Sequence, residues 1–100
     1  MEINKEEKNG ILTFRVKGDI DITSSPDVKK YFDTALTDKN TRIVISLKEV
    51  EYVDSSGLAT LVEVLKRIRT LSGQMKLSDL SEKVKSLFEI TKLDRLFDIV

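Results

Sequence analysis

Apolar and polar residues alternate over residues 11–17, ILTFRVK: Leu12, Phe14 and Val16 are set against Thr13, Arg15 and Lys17. A period of two predicts a strand with one wet face. A less regular strand is expected just before it, near Glu2 to Glu7. Asn9-Gly10 is the turn between them, because that dipeptide suits a two-residue hairpin. The period then lengthens. Val28, Phe32, Ala35 and Leu36 follow helical spacing, and Ser25 followed by Pro26 reads as an N-cap with proline at the first helical position. Residues 38–41, DKNT, read as the turn out of that helix. RIVISL, residues 42–47, is a nearly continuous β-branched run, the pattern of a central strand covered on both faces. KEVEY extends it towards YVDSSGLATLVEVLK, where Leu58, Leu61, Val62, Leu65 and Ile68 form one helical stripe and Glu63, Lys66, Arg67 and Thr70 the other side. Ser72-Gly73 ends this helix, with glycine past the last turn. QMKLSDL is a short strand with Met75 and Leu77 inward, and Ser81 caps a further helix carrying Val84, Leu87 and Phe88. The closing KLDRLFDIV suits either a last strand or a docked turn.

The element order is therefore β-β-α-β-α-β-α, with or without a final β. Alternating elements imply parallel crossovers. The expectation is an α/β fold: a mixed β-sheet of four to five strands with helices packed mainly on one face, in a single domain spanning residues 1–100. If the strands at 11–17, 42–50 and 74–78 are parallel, their C-terminal ends share one edge, where binding sites of open α/β sheets gather. Three loops leave that edge. One carries Asp19, Asp21, Thr23, Ser24 and Ser25; the next Asp54, Ser55, Ser56 and Gly57; the last Ser78, Asp79 and Ser81.

Composition narrows what those loops can do. Lys plus Arg and Asp plus Glu are both 17, so the formal charge is zero. A nucleic-acid binder normally carries a basic excess, so direct nucleic-acid binding is not expected. No histidine and no cysteine occur, which removes the Ser-His-Asp triad, cysteine nucleophiles, disulfides and N/S metal sites. No bound metal or cofactor is expected. The first ten residues lack the apolar run of a signal peptide and no stretch is long enough to span a bilayer, so a cytoplasmic protein is expected.

Most of these hydroxyls have an ordinary use. Ser, Thr and Asp before helices cap them, and Asp19 and Asp21 suit a solvated turn. The pair Ser55-Ser56 differs, because a helix start needs one capping hydroxyl and two are present after an aspartate. Ser56 can cap while Ser55 points outward, and Gly57 permits close backbone approach. The residues alone leave a structural cap and a functional serine both standing. A covalent hydrolase would need a base that is absent, and the G-x-S-x-G elbow is missing. A phosphoacceptor fits better, because a helix N-terminus tolerates a phosphate and the modification adds about −1.5 to −2 charges. A different reading is a magnesium-dependent phosphotransfer or hydrolase site on Asp19, Asp21 and Asp54, since only hard oxygen ligands remain.

VKGDIDITSSPDVKKYF, IVISLKEVEYVDSSGLATLVEVLK and SGQMKLSDLSEKVKSLFEITKLDRLF together resemble a STAS domain, in particular the free-standing bacterial anti-sigma factor antagonists of the sporulation and general-stress type. The resemblance covers nearly the whole chain and turns on a G-[ED]-[LI]-D segment and a D-S-[ST]-G-L-G signature, in which Ala59 replaces the second glycine. It implies a binding module and not an enzyme. Unphosphorylated, such a protein binds an anti-sigma factor that is also a serine kinase and so frees the sigma factor; phosphorylation switches it off and a serine phosphatase resets it. The resemblance assigns phosphorylation to Ser55 and the partner surface to the segment Gly18 to Ser25, with Asp19, Asp21, Thr23 and Ser24, and to Asp54, Ser56, Gly57 and Leu58, and it implies a monomer. Within the same family, the alternative is a scaffold or partner module of a stress-sensing or membrane transport complex.

Overall fold

The computed structural model describes residues 1–36 and 42–100; the turn expected at 38–41 lies outside them. Strand β1 (Glu2–Lys8) turns back into β2 (Ile11–Lys17), followed by helix α1 (Ser25–Ala35), β3 (Arg42–Glu49), α2 (Ser55–Thr70), β4 (Gln74–Ser78) and α3 (Glu82–Ile90). The tail is both of the things its sequence allowed: a single 3₁₀ turn at Leu93–Arg95, then β5 (Asp98–Ile99). Asn9 and Gly10 take φ of 53° and 79°, the left-handed pair that a type I′ hairpin requires. Among the described residues no helix is long and apolar enough to cross a membrane.

The strands form one five-stranded sheet in the order β1-β2-β3-β4-β5. β1 pairs antiparallel with β2, and the other pairs are parallel. Each crossover steps to the next strand on the same side. Because such crossovers are right-handed, every helix falls on the same face. That corrects the two-sided cover expected for 42–47. Ile43, Ile45 and Leu47 are buried beneath the helices, whereas Val44 points to the uncovered face and stays half-exposed. Ser46, also on that face, is buried, and its hydroxyl donates to Asp79 Oδ2 at 3.1 Å.

Phe14 from β2 meets Phe32 of α1 edge-on with centroids 4.8 Å apart, and Leu61, Val64 and Ile68 of α2 lie in the same buried cluster. Phe88 and Phe97 pack at 5.4 Å and hold the tail to α3. The Lys29–Glu63 pair at 3.2 Å spans α1 and α2, but both side chains are half in water, so its contribution is at most about 1 kcal/mol.

Two helix ends differ from the sequence expectation by one residue. Ser24, not Ser25, stands at the N-cap of α1; Ser25 is the first helical residue and Pro26 the second. Ser25 is 7% exposed and its Oγ is buried without a hydrogen-bond partner. At the end of α2 the left-handed residue is Ser72, φ 60°, and not Gly73. The amide of Ser72 bonds the Arg69 carbonyl and that of Gly73 bonds the Ile68 carbonyl, which is the two-bond pattern of a Schellman ending.

Candidate functional site

The chain leaves β2 at Gly18 and stays beside the exit from β3. Gly18 N–H donates to Glu49 O, Ile20 N–H to Tyr52 O and Asp54 N–H to Ile20 O, and Ile20 pairs with Val53 as a parallel bridge. The first two loops are thus continuations of neighbouring strands, held in register beyond the sheet itself. Ile20 and Val53 are fully buried beneath them.

Asp54 joins those loops. Its Oδ1 accepts from Gly57 N–H at 2.8 Å and caps α2, and its Oδ2 accepts from Ile22 N–H at 3.0 Å. The capping role assigned to Ser56 is therefore corrected. The carboxylate one residue before the helix takes it, because Asp54 is in extended backbone and its side chain reaches the third-residue amide, the usual N-cap geometry. Ser55 and Ser56 become the first two helical residues. Ser55 is exposed, Ser56 half-buried, and neither side chain makes a hydrogen bond among the described residues.

Gly57 lies under the Ile20 carbonyl. A Cβ there would stand 2.1 Å from Ile20 O and 2.8 Å from Val53 Cγ1. Leu58 is 7% exposed and belongs to the core. These two residues hold the loops in place, and the Leu58 side chain packs in the core.

The 19–24 segment is fastened from within. Asp21 Oδ1 accepts from the Thr23 hydroxyl at 2.7 Å and from the amides of Thr23 and Ser24. Ser24 Oγ donates to Asp19 O at 2.7 Å and accepts from Asp21 N–H. The hydrogen bond from the Thr23 hydroxyl, followed by those from the backbone, holds the Asp21 carboxyl below its ordinary value near 3.8. A depressed folded-state pKa gives stability that is present above the unfolded value and lost as pH falls through the folded one. Tightening of this turn should therefore weaken only below about pH 3.8. A carbon-detected NMR titration should place the Asp21 midpoint below that value, and Thr23→Ala should move it upward. An unmoved midpoint in Thr23→Ala would mean the hydroxyl is not the cause.

Asp19, Asp21, Thr23, Ser24, Asp54, Ser55, Ser56 and Gly57 thus come together in two clamped loops. The third loop leaves the same edge but shares no hydrogen bond with these two among the described residues. Asp79, at φ 60°, takes the hydroxyls of Ser46 and Ser78, and Ser81 caps α3 by accepting from Val84 N–H. Beyond it, in the first turn of α3, Lys83 Nζ lies 5.9 Å from the centre of the Tyr52 ring. The magnesium reading loses its ligands here. Both oxygens of Asp54 face backbone amides, Asp21 Oδ1 has three donors, and among the described residues no three metal-capable side chains gather.

Residues 2–100 match the family model described as STAS domain. The chain is 35% identical over 102 residues to the anti-sigma-B factor antagonist of Bacillus subtilis (strain 168), covering 99% of this chain and 92% of that protein. It is 30% identical over 100 residues to the anti-sigma F factor antagonist of Paenibacillus polymyxa, covering 99% and 86%. The crystal structure of an anti-sigma factor antagonist from Mycobacterium paratuberculosis superposes with a TM-score of 0.86 at 22% identity, over 98% of this chain and 83% of that one. At that identity the likeness is one of fold.

Proposed function

Because the chain belongs to the STAS domain family, we propose that it is an anti-sigma factor antagonist, a binding module without catalytic activity. In its unphosphorylated form it engages an anti-sigma factor that is also a serine kinase, and the sigma factor is released. Phosphorylation of Ser55 ends that engagement and a serine phosphatase restores it. The protein works in the cytoplasm as a monomer, and the partner surface comprises Asp19, Asp21, Thr23, Ser24, Asp54 and Ser56 around the acceptor.

One observation carries this reading. Ser55 is exposed at the first position of α2 with an uncommitted hydroxyl, while the nearby hydroxyls of Thr23 and Ser24 are engaged in holding the loop. The amides of Ser55 and Ser56 have no acceptor among the described residues, so a phosphate on Ser55 would meet the positive end of the helix. It would also add about −1.5 to −2 charges beside Asp54, changing the surface without unfolding the domain. Incubation with the cognate kinase and ATP should yield one phosphate, located on Ser55 by peptide mass spectrometry. Ser55→Ala should take up none and Ser56→Ala should be labelled as the native chain is. Equal labelling of Ser55→Ala removes the assignment.

A further inference from the structure

We propose that Ile22, seconded by Tyr52, is the apolar anchor through which the unphosphorylated chain grips the kinase, resting on the reading of Ser55 above. An isolated isoleucine between two polar turns has no periodic signal, and its exposure is the observation. Ile22 is 71% exposed and Tyr52 43%. A single exposed apolar residue is unremarkable on most surfaces. Here two stand on adjoining backbone segments that are tied by the Ile20 N–H to Tyr52 O bond at 3.0 Å and by the Ile20–Val53 bridge.

The backbone under Ile22 is fixed. Its amide donates to Asp54 Oδ2, the amides of Thr23 and Ser24 after it donate to Asp21 Oδ1, Asp21 N–H before it donates to Ser24 Oγ, and Ser25 N–H closes onto Asp21 O at 2.8 Å. A β-branched side chain on such a backbone has few rotamers left to lose on docking. Apolar surface presented without an ordering cost is what a binding hot spot needs. The placement also commits the occupant. The Asp54 carboxylate that holds Ile22 belongs to the residue directly before Ser55, so Ile22 stands on the loop beside the acceptor, on the surface a kinase docked over Ser55 would use. The partner feature is therefore an apolar pocket on the kinase beside its nucleotide site, with Tyr52, which has Lys83 Nζ 5.9 Å from its ring centre, as the second contact.

This arrangement gives the phosphate a second effect. Burying Ile22 requires the adjoining surface at Asp54 and Ser55 to lose water, and a phosphate dianion on Ser55 resists dehydration. The switch acts through the anchors, with no rearrangement of the fold.

The probes are the anti-sigma factor/serine kinases of the source organism, each tested for labelling of the native chain from ATP, and affinity is read by calorimetry with a non-hydrolysable ATP analogue. Ile22→Ser should weaken binding about thirtyfold or more, with an unchanged melting temperature, and Ile22→Leu should recover most of it. At saturating kinase, Ile22→Ser should still be phosphorylated at the native rate. The affinity lost on phosphorylation should be smaller in Ile22→Ser than in the native chain, since the two act on the same buried surface. Native binding with undiminished affinity in Ile22→Ser overturns the anchor and leaves the Ser55 reading intact. Failure of every such kinase to bind or label the native chain overturns both.

Discussion

Gly57→Ala is expected to destabilise the domain by about 3 kcal/mol or more, although alanine is the better helix former by about 1 kcal/mol. The added methyl would lie 2.1 Å from Ile20 O and 2.8 Å from Ile20 C. These are backbone atoms and not the flexible end of a side chain. Ile20 cannot retreat, because its carbonyl accepts from Asp54 N–H, its amide donates to Tyr52 O and its side chain is fully buried. Relief requires either α2 to lift from the loop or the Ile20–Val53 bridge to part. Inserted methyl groups in tight sites cost about 1–3 kcal/mol, occasionally more, and a clash with fixed backbone belongs at the upper end. For a domain of this size the melting temperature should fall by at least about 10 °C. A calorimetric midpoint within about 2 °C of the native chain, well under 1 kcal/mol on the same scale, would show that the contact relaxes freely.

Asp54→Ala is the second large effect, and Asp54→Asn divides it. Alanine removes the cap of α2, about 1 kcal/mol, and also the acceptor for Ile22 N–H. Hydrogen bonds to a charged group contribute about 1.5–3 kcal/mol each when well shielded. These are only partly shielded, so the expected total is about 2–3 kcal/mol by urea unfolding. Asparagine caps as well as aspartate, and its one carbonyl oxygen can keep the Gly57 amide. Its NH₂ then faces Ile22 N–H, donor against donor. Asp54→Asn should therefore cost about 1 kcal/mol, and hydrogen exchange should speed up at Ile22 while Gly57 remains protected. Equal loss of protection at both amides would show that the two loops are not separately held.

The larger elements were legible in the sequence because their physical signals are local. Alternation in ILTFRVK and the stripe Leu58, Leu61, Leu65, Ile68 needed no knowledge of neighbours, and parallel topology was enough to bring the loops after β2, β3 and β4 to one edge. The misreadings concern choices that neighbours make. In Asp54-Ser55-Ser56 any of three side chains can cap; the bridge between Ile20 and Val53 sets where extended backbone ends, so Asp54 is chosen. Ser72 adopts the left-handed position because the carbonyls of Ile68 and Arg69 fix the register of the ending, and Gly73 falls one residue too late. The run Ile43 to Leu47 looked covered on both sides, but only the winding of the crossovers decides how many faces receive helices. Ile22 lies in the 18–25 segment that the resemblance assigns to the partner surface, but nothing local singles it out: its exposure follows from a turn held by a carboxylate 32 positions away.

The sheet order has a consequence for how the chain acquires its structure. Every strand neighbours the one before and after it in the sequence, so the sheet can grow outward from the β1–β2 hairpin one connection at a time. No strand has to wait for a distant partner to be inserted between pairs already formed. Closing each loop costs entropy that rises only slowly with length, and topologies dominated by near-neighbour pairing assemble faster than those built from remote ones. Even the clamp between Ile22 and Asp54 joins successive strand exits. The clamps around Ser55 draw only on the exits of β2 and β3 and the start of α2, and none of their hydrogen bonds comes from the C-terminal third of the chain.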